Sequence, residues 1–403
     1  MHNRFVSALS QRIVSKLRPL MLMALLCPWV QLFPIALSQE ATVSLLTCGP
    51  GSELYTSWGH TALRITDTKL GFDRVYNYGT FNFAEEGFYW KFLRGKLPYY
   101  LSVDPFSRFL ADYAFQEREV AEQILNLSGG EATEIFLFLE NNLRPENRAY
   151  PYDFIRDNCT TRIRNLFHKQ LQPEALQKEI TEHSAREHLL QCLNPLPWTG
   201  LGINLLLGAR VDQPLDAYQT MFLPALLMEQ MANSHYSASQ LPLVKETRIL
   251  LQGKQSTRPS PITGPLLLLT LLLAVSIGAA LFPAKLSVAN RLFDRMLFGA
   301  IGLIGCVIAF MWFVSIHYGT SLNWNLLLLS PVCLLYAFRR KPWRRTTLHC
   351  FLLFLLISLL LYPVALLASR QAIGVETGLI ALLVGFRALY LYRVSRSAKP
   401  KPI

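Results

Sequence analysis

Residues 258–282 read RPSPITGPLLLLTLLLAVSIGAALF. A Pro-Ser-Pro punctuation opens into an uncharged apolar run close to the ~20 residues that cross a bilayer. The chain therefore divides here. Four more apolar runs follow, at 296–316, 322–338, 348–368 and 373–392. They predict a five-helix membrane domain over 262–392, with a short tail at 393–403.

The intervening loops test that reading. Lys285, Arg291 and Arg295 follow the first run, while His317–Ser321 after the second carries no Lys or Arg. Arg339, Arg340, Lys341, Arg344 and Arg345 crowd the next loop. Arg370 stands alone after the fourth run, and Arg393, Arg396, Lys399 and Lys401 follow the fifth. Basic residues collect on every second loop, as the positive-inside rule requires when residues N-terminal to the first run lie outside. The basic loops and the C-terminus are then expected in the cytoplasm.

Charge elsewhere agrees. The whole chain carries +12, but residues 39–261 sum to −4 and residues from 262 onward to +12. Basicity beside apolar runs orients a membrane protein, and it leaves no basic surface for nucleic acid. Towards the N-terminus, Arg4, Arg12, Lys16 and Arg18 precede an apolar stretch from Pro19 to Leu37, then Ala36-Leu37-Ser38. This reads as a secretory signal over 1–38. Cys27 holds a lipobox-like position, but Leu26 before it is too large for lipoprotein processing.

The exported stretch, 39–231, reads as α+β, and 232–261 as a polar linker. Strands are expected at 41–47, 59–66 and 74–82, with Asp67–Asp73 as the turn between the last two. Residues 90–94 and 97–103 alternate around Gly95 and suggest a hairpin. Phe106, Phe109, Leu110 and Tyr113 fall at helical spacing, as do Ile135, Phe138 and Leu139. A further helix starts near Cys159, with Ile163, Leu166, Phe167 and Leu171 on its apolar face. Residues 72–113 hold fourteen aromatics; of these Tyr99, Tyr100 and Phe106 are candidates to face lipid at the interface.

Two segments carry chemistry: TCGPGSELYTSWGHTALR at 47–64 and YDFIRDNCTTR at 152–162. Asp157 or Asn158 would cap a helix whose first turn holds Cys159. The macrodipole and free backbone N–H groups there favour a thiolate and could bind an oxyanion. His60, on a strand with Gly59 beside it, is the candidate proton partner. Cys48 and Cys192, the other exported thiols, lack such a cap and could pair with each other. His317, Asn323 and Trp324 at the outer ends of the second and third runs would bind head groups or meet water. Glu376 and Arg387 in the fifth run are costly in a bilayer and call for a paired or functional role. No metal-ligand spacing, phosphate loop or nucleotide motif occurs, so the expected chemistry needs no cofactor or metal.

These segments, with YNYGTFNF at 76–83, resemble the bacterial lipoprotein N-acyltransferase family Lnb, and the apolar half is similar to its membrane domain. The order of His on a strand before Cys on a helix also looks like permuted papain-like enzymes of the NlpC/P60 kind. The resemblance implies Cys159 as nucleophile and His60 as general base, with Asn77, Tyr78 or Thr80 orienting the imidazole. Asn158, Asp157 and Trp58 fall in the same motifs as supporting candidates. It further implies acyl transfer from membrane phospholipids to diacylated lipoproteins by an integral protein of the bacterial inner membrane. A cell-wall peptidase using the same pair, or a non-catalytic membrane scaffold with disulfide-bonded cysteines, are the alternatives.

Overall fold

The computed structural model describes residues 37–171, 180–236, 241–254, 264–282 and 287–397. Nearly all of the expected signal segment, Cys27, parts of the expected linker and the last six residues lie outside these. The N-terminal half is α+β, as its sequence pattern indicates. Strands β1 (Thr42–Cys48), β2 (His60–Asp67) and β3 (Phe72–Thr80) form an antiparallel meander. Strand β4 (Pro98–Pro105) pairs with β3, and β5 (Val120–Leu125) crosses to the far side of β1. The short β6 (Ala149–Pro151) flanks β4, while β7 (Ile180–Ser184) and β8 (Pro214–Asp216) make a separate ribbon. Strand β9 (Val244–Leu251) closes the other edge against β5, giving the order β6-β4-β3-β2-β1-β5-β9. The stretch expected to be a polar linker thus contains an edge strand. Its largely exposed Lys245-Glu-Thr-Arg248 run conceals the strand, because an edge needs backbone pairing more than an apolar face.

A second correction concerns residues 88–105. No hairpin forms; Phe88–Leu93 is a short helix, α1, and only the second arm becomes a strand. Gly87 (φ 67°) and Gly95 (φ 69°) bracket the helix in left-handed conformations that other residues avoid. Helix α2 (Phe106–Phe115) follows β4 and sets Phe109 on Leu46, Cys48, Ala62 and Val75 of the sheet. Helix α3 (Gly129–Asn142) opens on a capping box, Ser128 with Glu131. It lies beside α4 (Cys159–Leu171), which packs on β2 and β3. Helices α5 (Ala185–Cys192), α6 (Pro197–Leu206) and α7 (Pro224–Ala232) complete this half.

The C-terminal half is helical. Among the described residues, α9 (Ser287–Phe313), α12 (Arg345–Ser369) and α13 (Val375–Ser397) contain the three stretches long and apolar enough to cross a membrane. The first apolar run gives α8 (Pro265–Leu281), shorter at 17 residues. The third is not one helix: it breaks into α10 (Asn325–Leu328) and α11 (Cys333–Ala337). Pro331 lacks an N–H and biases Ser330 away from helical angles, so the run stops there. Gly305 of α9 makes room for the break, since a Cβ there would collide with the Leu329 carbonyl.

Arg387 finds its counter-ion in Asp294 of α9 (Nε–Oδ1 2.7 Å) and also donates to the neutral Asn290 Oδ1 (3.1 Å). Glu376, the other charge noted in that run, sits in the first turn of α13, where the helix dipole favours an acid. The two halves meet through backbone bonds: Gly208 N–H to Gly319 O, Ala209 N–H to Leu322 O and Ile316 N–H to Arg94 O. His317 Nε2 lies 2.8 Å from Phe92 O, and buried Asn323 donates to Leu205 O at 2.8 Å. Trp324 packs edge-on to Trp312. These three residues are spent on joining the halves and packing the seam, which single-chain hydropathy could not reveal.

Candidate active site

Cys159 is the first residue of α4, and Asn158 is its cap. The Asn158 Oδ1 accepts from the N–H groups of Thr160 (2.9 Å) and Thr161 (2.8 Å), while its Nδ2 donates to Phe154 O and Phe222 O. One buried side chain therefore fixes the helix start, the preceding loop and a distant segment. Asp157 has a different task, a bidentate pair with Arg162 (2.7 and 2.8 Å). Because Asn158 takes two of the helix N–H groups, the N–H left open at the helix start is that of Cys159 itself. It makes no hydrogen bond among the described residues.

His60 begins β2, opposite Cys48 of β1. Gly59 (φ 82°) turns the chain into this strand, and a Cβ there would meet the Cys48 carbonyl at 2.6 Å. Strand periodicity puts His60, Ala62, Val75 and Asn77 on one face. Cys159 arrives from the other face, beside Thr61, whose hydroxyl meets Thr160 at 3.0 Å. The two faces meet because the β2–β3 ladder stops at Leu63–Tyr76, and the β3–β4 register shifts between Asn77 and Thr80. Gly79 (φ 87°) lies in that irregularity, where a Cβ would already touch Cys159 Cβ at 3.4 Å. A glycine inside a strand pattern is a sequence signal for such a bulge.

Of the three candidate orienting groups, Asn77 reaches the imidazole, with Oδ1 3.2 Å from His60 Nε2. The Asn77 Nδ2 makes a long contact, 3.5 Å, with the Asp104 carboxylate. The Asp104 carboxylate only accepts, so it faces the amide Nδ2 and leaves Oδ1 towards His60. Nε2 must then carry the proton, leaving the Nδ1 lone pair free. Thr80 turns away to Ser102 (2.7 Å), and Tyr78 packs on Tyr150 beneath Arg162. Trp58 donates to Leu189 O at 3.1 Å and stacks edge-on to Phe154 at 4.6 Å, bracing the loops before both His60 and Cys159.

Electrostatics follow from this packing. Burial pushes the Cys159 thiol up, but the adjacent His60, its hydrogen bond, the Thr61 N–H and the Thr160 hydroxyl together bring it below the ordinary thiol value. Burial pushes Cys48 up to about 12, and burial also raises Cys192. All six described cysteines are free, with Cys48 and Cys192 in separate apolar clusters, so the suggested pairing of these two is absent. Alkylation of Cys159 by iodoacetamide, followed by peptide mapping over pH, is expected to reach its plateau below the range of an ordinary thiol. In His60→Ala the largest opposing influence to burial is gone, so the inflection should move to higher pH. An inflection unmoved by that change would contradict the pairing.

The exposed aromatics are not those singled out by sequence. Tyr99 is buried and stacked on Tyr152, Tyr100 lies under Arg148, and Phe106 lies under Arg64. Exposed rings belong instead to Tyr55, Phe83, Tyr89, Trp90 and Phe92. Tyr55, Phe83, Tyr89 and Phe92 join through Phe81 and Phe88, and Trp90 lies separately, its ring 5.2 Å from that of Phe310 in α9.

Two models of one family match the chain: the Lnb N-terminal periplasmic domain over residues 36–193, and the Lnb transmembrane domain over residues 256–399. No curated protein and no solved structure matches it. The first match contains both the His60 strand and the Cys159 helix, and the second contains every membrane-length helix described above. The chain belongs to the Lnb family, an integral membrane protein that joins an α+β periplasmic domain to a helical transmembrane domain.

Proposed function

We propose that this protein is a lipoprotein N-acyltransferase working through a Cys159 thioester at the outer face of the inner membrane. The observation that carries the reading is Cys159 itself: a helix-capped thiol of lowered pKa beside a His60–Asn77 pair, in a domain bonded directly to the membrane half. The Cys159 thiol passes its proton to His60, the thiolate attacks an ester carbonyl of a phospholipid, and the Cys159 N–H stabilises the oxyanion. The carbonyl–oxygen bond breaks, and His60 gives its proton to the departing lysophospholipid. The α-amine of a diacylated lipoprotein's N-terminal cysteine then attacks the thioester. His60 takes the amine proton, the carbon–sulfur bond breaks, and the thiolate is restored. Transfer is ping-pong and draws on no other reactant.

The exposed aromatic surface supports a bilayer donor, since rings of this kind favour the level of the head groups. The His-before-Cys order supports kinship with permuted papain-like enzymes. Alternation of basic loops supports a cytoplasmic 339–345 loop and C-terminus. Free thiols throughout the described residues argue against a disulfide-bonded scaffold. The test is mass spectrometry of lipoprotein N-termini in cells with and without this protein. Triacylated termini are expected only in its presence, and unchanged termini on its removal would sink the proposal.

A further inference from the structure

Arg156 lies three residues before Cys159, in a turn closed by reciprocal backbone bonds between Asp153 and Asp157. Its guanidinium carbon sits 3.3 Å over the ring of Tyr318, in the outer loop that follows α9. Arg210 approaches the same ring at 5.4 Å, from a segment bonded to that loop through Gly208 and Ala209. Three parts of the chain thus bring two cations to one aromatic ring. They border a cavity of about 300 Å³ lined also by Gln213, Leu322 and Ser369.

Neither guanidinium forms an ion pair with a carboxylate among the described residues. The acids nearest each arginine in sequence are spent elsewhere: Asp157 on Arg162, and Asp212 on Arg186. Asp153 accepts from the N–H groups of Ile155, Arg156 and Tyr318 and pairs with neither guanidinium. Both arginines are exposed on this surface, and their planar N–H forks remain open to an anion. A phosphodiester, which accepts from both planar forks, is the matching chemistry.

We propose that Arg156, Arg210 and Tyr318 seat the phosphate of a glycerophospholipid. Its role as acyl donor rests on the function proposed above; the binding site itself does not. The site lies where the outer loop of the membrane half meets the turn that precedes Cys159. A phosphate held there tethers the glycerol esters close to the thiol, and proximity of that kind lowers the barrier by fixing the reacting groups in advance.

Native mass spectrometry of the full-length protein in detergent, titrated with phosphatidylglycerol, tests the site without any turnover. Arg156→Gln and Arg210→Gln should each weaken lipid binding at least about ten-fold, the loss of a charge-assisted contact. The Lys replacements should restore part of it, because charge returns without the planar fork. Lys69→Gln, at an exposed turn, should leave binding as it is. Inorganic phosphate should compete only weakly; competition as strong as that of the lipid would mean a free-phosphate site and overturn the proposal. Equal lipid binding by wild type and the Arg156→Gln/Arg210→Gln double variant would overturn it as well.

Discussion

Cys159→Ala is expected to abolish N-acyl transfer, by at least ~10⁴-fold, in a protein that still folds and inserts. The sulfur contributes little to the fold. The cap of α4 belongs to Asn158, and its buried face to Ile163, Leu166, Phe167 and Leu171. The proposed chemistry depends on the sulfur entirely, because without it no thioester forms and the two half-reactions cannot be separated. Wild-type protein incubated with labelled phospholipid and no acceptor should hold label on Cys159 as a hydroxylamine-sensitive adduct. Addition of a diacylated lipoprotein should move that label to its N-terminus. Transfer at the wild-type rate by the variant would exclude covalent catalysis at this residue.

Why Cys159 was readable and Asn77 was not is a matter of local against non-local information. An Asn-Cys-Thr-Thr start with apolar residues at 163, 166, 167 and 171 reports a capped amphipathic helix by itself. Gly59-His60 reports a strand entry in the same way. The choice among Asn77, Tyr78 and Thr80 depends on a register shift in the β3–β4 ladder, which no periodicity within β3 encodes. Strand β9 and helix α1 failed for the opposite reason. Their local patterns were explicit but misleading, one polar because it lies at an edge and one alternating because aromatics cover a short exposed helix. The membrane half was legible as apolar runs, whereas the break at Pro331 needed the approach of Gly305 to make sense. Asp294 as the partner of Arg387 is a contact between the second and fifth runs. A single sequence offers two possible acids and no means to choose.

The second large effect is expected at His60, and its comparison with Asn77 separates proton transfer from orientation. His60→Ala should lower transfer ~10²–10⁴-fold, the usual loss when a general acid–base is removed. Burial then acts on Cys159 with its main counterweight missing, so less thiolate is present at neutral pH and the acyl-enzyme should form slowly. Asn77→Ala removes only the 3.2 Å contact that holds Nε2–H. The imidazole can still carry a proton, so the loss should be smaller than for His60→Ala and confined to kcat, with KM for the phospholipid unchanged. Asn77→Asp supplies an acceptor at the same place and should recover much of the rate, while Asn77→Leu should not. Transfer rates measured against pH provide the check. If Asn77→Ala were as damaging as His60→Ala and Asn77→Asp rescued nothing, Asn77 would be holding up the β3–β4 irregularity rather than orienting His60.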